Sequence, residues 1–80
     1  MEIVRVEINT ADIKLDQFLK WAGAAASGGE AKELIASQKI RVNGAEELRR
    51  GRKLKNEDLV EIENRYLYKV ISPLQEKKCF

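Results

Sequence analysis

SGGEAKELIASQKIRVNGAEELRRGRKL, residues 27–54, holds a marked helix start, a marked hairpin turn and most of the excess positive charge of the chain. Ser27 followed three residues later by Glu30 is a capping box, in which the serine oxygen accepts a first-turn backbone N–H and the glutamate reaches back to the cap. The pattern predicts a helix starting at Gly28, with Ala31, Leu34, Ile35 and more weakly Gln38 on one face and Lys32 and Ala36 on another. The period then switches. Ile40 and Val42 alternate with Lys39 and Arg41, and Asn43-Gly44 tolerates the positive φ angles of a two-residue hairpin turn. The chain is expected to return through Ala45 to Leu48 into Arg49-Arg50-Gly51-Arg52-Lys53, crowding basic side chains from both arms into one region.

Charge is distributed unevenly. Residues 39–55 carry seven Lys or Arg against two Asp or Glu, whereas residues 1–38 carry four against six and residues 56–80 four against five. The formal charge of +2 thus conceals a local basic patch, the footprint of a surface that meets a polyanion.

Eighty residues make one domain with a modest core, expected over residues 1–72 with a mobile lysine-rich tail at 73–80. Charged residues are 35% of the chain against about 25% in a typical globular protein, so a well-hydrated surface is expected. No segment reaches the roughly 20 apolar residues that span a bilayer, no cationic leader opens the chain, and a cytoplasmic protein without membrane contact is the expectation. The single Cys79 permits no internal disulfide and has no neighbour that would lower its pKa. With no histidine either, zinc and thiol chemistry are excluded. The carboxylate pairs Glu46-Glu47, Glu57-Asp58 and Glu61/Glu63 fall on turns or a polar strand face, where solvation is the default. No catalytic residue, metal, cofactor or small-molecule substrate is expected.

Outward from the central stretch, Val4, Val6 and Ile8 alternate with Arg5 and Glu7 as a strand. Leu15, Phe18, Leu19 and Ala22 form a helical stripe capped at Thr10 or Asp12 and stopped at Gly23. The short link of residues 24–27 packs the two helices as a pair. Lys55 to Asp58 is a polar turn, Leu59 to Glu63 a strand with Val60 and Ile62 inward, and Tyr66 to Ile71 has strand composition up to Pro73.

These residues resemble a known family, the RNA-binding domain of the ribosomal small-subunit protein four type, or αL RNA-binding motif, over about Ile13 to Ile62. The resemblance rests on Lys14-Leu15-Asp16, Ser27 with Ala31, Leu34-Ile35, Ile40-Arg41-Val42-Asn43-Gly44 and Asp58-Leu59-Val60. Phe18-Leu19-Lys20-Trp21, residues 27–32 and residues 49–54 are similar to the short stand-alone bacterial members, which act on ribosomal RNA. Many members have arginine where Gly28 stands, and glycine where Gln38 and Glu57 stand. The resemblance implies an α+β fold, two packed helices against a small, mostly antiparallel sheet with a basic β-hairpin, and RNA across the second helix and the hairpin. It leaves the segment after Ile62 without a role.

The function expected is non-enzymatic binding of structured RNA, most naturally ribosomal, by a monomer acting in ribosome assembly or translation. Lys14, Lys32, Lys39, Arg41, Arg49, Arg50, Arg52 and Lys53 are the expected RNA contacts, with Asn43 setting the hairpin that aims them. Arginine suits this role because its planar fork bonds two phosphate oxygens. Gly28 and Gly29 either admit a phosphate to the backbone N–H groups of a helix start or only relieve crowding between helices. Trp21 is read as core edge rather than a base-stacking ring, and Tyr66 and Tyr68 as packing. The rival from another class is a protein-interaction adaptor whose basic patch docks an acidic partner.

Overall fold

The computed structural model describes residues 2–73. Among them the chain forms β1 (Ile3–Glu7), β2 (Asp12–Lys14), α1 (Leu15–Trp21), α2 (Gly28–Ala36), β3 (Ile40–Val42), β4 (Ala45–Glu46), β5 (Lys53–Lys55), β6 (Leu59–Ile62) and β7 (Tyr66–Ile71). Five strands make one sheet in the order β1-β7-β6-β3-β4, antiparallel except where β1 runs parallel to β7. β2 and β5 pair antiparallel as a separate ribbon. The architecture is the α+β arrangement expected, two helices on a mostly antiparallel sheet. The expected tail, beyond Pro73, and Cys79 lie outside the described residues.

Local chemistry explains most boundaries. Ser27 Oγ accepts the Glu30 N–H at 3.2 Å, and Glu30 Oε1 accepts the Ala26 N–H at 2.5 Å, one residue before the cap itself. Ala31 and Ile35 are buried and Leu34 half-buried. Gln38 does not extend that stripe. It is exposed at φ +64°, where its N–H meets the Ile35 carbonyl at 3.1 Å and the Lys39 N–H meets the Leu34 carbonyl at 3.3 Å. That pairing is a Schellman ending, whose left-handed position favours glycine. Gly23, at φ +83°, closes α1 in the same way, with the Ala24 N–H on the Leu19 carbonyl at 2.9 Å.

The start of α1 differs from expectation. Neither Thr10 nor Asp12 caps it: residues 12–14 are strand β2, and the Thr10 hydroxyl donates to the Asp12 carbonyl. The orphan N–H groups of Leu15 and Asp16 instead donate to the carbonyls of Arg52 at 2.8 Å and Arg50 at 3.1 Å. Backbone from the far basic loop thus does the capping, which local sequence does not announce.

The Asn43-Gly44 turn is as expected, with φ of +53° and +86° and Val42 directly opposite Ala45. The return arm is shorter than expected, ending at Glu46. β7, which the family resemblance left unassigned, lies between β1 and β6 and contributes Val70 to the core. One cluster joins Leu15, Phe18 and Leu19 of α1, Ile35 of α2, Val42, Val60 and Ile62 of the sheet, and Leu54 of the ribbon. Of the alternating apolar residues at the first strand, Val6 and, just past β1, Ile8 are covered, whereas Val4 is 45% exposed. No described helix is long and apolar enough to cross a membrane.

Candidate nucleic-acid interface

The ribbon sets the geometry of the basic surface. Leu54 is fully buried and its partner Ile13 packs against the core, so the ribbon is held by its inner face. Side chains alternate along a strand, which leaves Asp12, Lys14, Lys53 and Lys55 on the outer face. There Asp12 stands opposite Lys55, but Lys14 stands opposite Lys53. Two like charges directly across a ladder are destabilising on their own. Because the Arg50 and Arg52 carbonyls hold the first N–H groups of α1, residues 50–53 run alongside residues 14–16. The backbone of Lys14, Arg50, Arg52 and Lys53 therefore comes together at one point, the start of α1.

A buried carboxylate shapes the loop that brings them there. Glu47, only 6% exposed, accepts the Arg49 backbone N–H at 3.0 Å, Arg49 Nε at 3.0 Å and Arg52 Nη1 at 2.9 Å. Its own N–H donates to the Ile40 carbonyl, so the clamp is fixed to β3 of the main sheet. The Arg49 hydrogen bond, reinforced by Arg52 and opposed by burial, pulls the Glu47 carboxyl from an ordinary 4.5 down to about 2. The same contact pushes the Arg49 guanidinium up. Glu47, read in the sequence as a solvated turn carboxylate, is thus the organiser of the basic loop. Arginines two and five residues after it were the available signal.

The remaining expected contacts fall elsewhere. Lys39 pairs with Glu63 at 3.8 Å, and Arg41 lies in register between Glu46 on β4 and Glu61 on β6. Neither joins the cluster at α1, so the basic run of the sequence is split in two. Asn43 does more than turn: its side-chain oxygen accepts the Leu59 N–H at 2.9 Å and its amide donates to Asp58 at 3.2 Å. Gly28, Gly29 and Lys32 lie on the first turns of α2. A Cβ placed on Gly28 would meet nothing within 4 Å, so crowding between helices does not require glycine there. Trp21 is not core edge; it is 52% exposed, and its indole N–H donates to the Glu7 carbonyl on β1 at 2.8 Å.

Comparison with known proteins adds sequence and fold evidence. The S4 domain family model matches residues 6–71. A Bacillus subtilis (strain 168) relative, the probable ribosome maturation protein RlbA, is 42% identical over 67 residues, covering 84% of this chain and 94% of that protein. The crystal structure of 30S ribosomal protein S4e from Thermoplasma acidophilum is similar in fold, with a TM-score of 0.52 at 17% identity over 69% of this chain. The match spans 29% of that larger chain.

Proposed function

Because the chain belongs to the S4 domain family, we propose that it is a non-enzymatic RNA-binding module for structured, ribosomal RNA, acting in ribosome maturation. The observation that carries this reading is the Lys14–Lys53 pair, two lysines held opposite one another beside Arg50 with no carboxylate partner among the described residues. A phosphate backbone relieves that repulsion, whereas an empty surface keeps it. Lys14, Arg50 and Lys53 make the main phosphate contacts, and Glu47 aims the loop through Arg49 and Arg52. Gly28, Gly29 and Lys32 form a second flank, with Lys39, Arg41 and Asn43 peripheral. The 42% identity to a protein named for ribosome maturation supports the ribosomal assignment.

Recognition by this surface is of shape. A-form helices present phosphates and 2′-hydroxyls across a shallow minor groove, and their deep major groove shuts out side chains. The test is binding to a folded ribosomal RNA fragment, an unstructured RNA of equal length and a DNA duplex from about 50 to 200 mM salt. With roughly four to six phosphates contacted, log affinity for the folded RNA should fall with log salt at a slope of about −3 to −5, and the folded RNA should bind tightest. Equal affinity for all three would make the surface a general polyanion binder. A slope near zero would favour the acidic protein partner instead.

A further inference from the structure

A concavity of about 420 Å³ opens between the link from α1 to α2 and the turn from β6 to β7. Gly23, Ala24 and Leu34 form one wall; Arg65, Tyr66 and Tyr68 form the other. The volume is at the small end of the roughly 300–1,000 Å³ of ligand pockets.

We propose that this concavity receives a single unpaired RNA base, stacked on Tyr66 with its phosphate at Arg65; the proposal rests on the RNA reading given above. The ring is presented and braced. Tyr66 is 50% exposed and lies parallel to Tyr68, with ring centroids 6.4 Å apart and planes within 10°. Tyr68 in turn packs edge-on against the buried Phe18, at 6.3 Å and 72°. A ring held by the core through a second ring has little freedom left to lose on stacking. Every base offers a π-face, so such a platform accepts any base.

Charge at the rim favours an anion. Arg65 is exposed and has no carboxylate partner among the described residues. The acidic neighbour on the lining, Glu63, is engaged by Lys39 at 3.8 Å. A tight turn fixes Arg65 beside Tyr66: its N–H donates to the Ile62 carbonyl at 2.9 Å, and Glu63 and Asn64 sit at φ +56° and +57°. The concavity lies past the C-terminal end of α1, and the Lys14–Lys53 cluster lies at its start. A seven-residue helix is about 10 Å long, so one folded RNA reaches both.

The test uses RNA hairpins identical except for one unpaired adenosine at successive positions along the stem, together with the fully paired hairpin. Wild-type protein should bind the best bulged hairpin roughly five- to a hundred-fold tighter than the paired one. Tyr66→Ala and Tyr66→Leu should lose that preference while binding the paired hairpin as wild type does, and Tyr66→Phe should keep it. A bulge preference that survives in Tyr66→Ala with an unchanged melting temperature overturns the proposal. Equal wild-type affinity for all the hairpins also overturns it and leaves the RNA reading intact, whereas no binding to any of them sinks both.

Discussion

In the β3–β4 hairpin Arg41 lies between Glu46 and Glu61, whereas in the β2–β5 ribbon Lys14 lies opposite Lys53. Both regions are basic in sequence, and only the second puts two cations directly opposite one another. The hairpin is specified locally, by alternating Ile40 and Val42 and an Asn-Gly turn that closes within a few residues. The ribbon is specified at long range, by burial of Leu54 and by carbonyls of the basic loop on the N–H groups of α1. The difference teaches that positive charge counted along a chain is not positive charge offered to a partner. Lys39, Arg49 and Arg52 each spend part of their charge on a carboxylate. Among the described residues Lys14, Arg50 and Lys53 do not.

The largest expected effect breaks the ribbon itself. Leu54→Ala removes its fully buried anchor and should cost about 2–5 kcal/mol, read by urea denaturation, with a matching loss of RNA binding. Unchanged stability would mean that the ribbon is not held by the core. Next comes the clamp. Because Arg49 and Arg52 lower the Glu47 carboxyl to about 2, the stability it contributes is complete above about pH 4.5 and is lost as pH falls through about 2. Glu47→Gln should therefore lower the melting temperature at pH 7 and narrow the gap to wild type as pH approaches 2. A gap constant with pH would show that the carboxylate is solvated. The smallest effect concerns the turn after β5, where Glu57 holds φ +74°. A left-handed conformation costs an ordinary residue about 1–2 kcal/mol; glycine relieves that cost, and its freer unfolded chain cancels part of the gain. Glu57→Gly should raise stability by about 0.5–1 kcal/mol, and a loss instead would show that the glutamate side chain matters to the turn.

Legibility in the sequence followed the same divide. Ser27 with Glu30, Asn43 with Gly44, and Gly23 each act over a few residues, and each was readable. So was the core face of α2, up to Ile35. Gln38 was misplaced because a left-handed ending was filled by a residue whose side chain hid the requirement, whereas the polar turn of Lys55 to Asp58, with Glu57 at positive φ, was placed correctly. Thr10 and Asp12 looked like caps because a cap supplied by the distant Arg50 and Arg52 carbonyls leaves no local pattern. For the candidate site, the basic residues were identifiable but their partners were not. Glu47 and Glu63 reach their cations, and Glu61 comes opposite Arg41, through strand register and loop closure, which composition does not encode.

The central claim is that the ribbon, not the hairpin, offers its cations to RNA. The salt dependence of binding to one folded ribosomal RNA fragment tests it, with Lys14→Gln/Lys53→Gln compared against Lys39→Gln/Arg41→Gln. Each lost phosphate contact takes about 0.7–0.9 from the log–log slope, so the ribbon pair should flatten it by about 1.5 and the hairpin pair by less than about 0.5. Equal flattening by the two pairs, or a larger change from Lys39 and Arg41, would contradict the account.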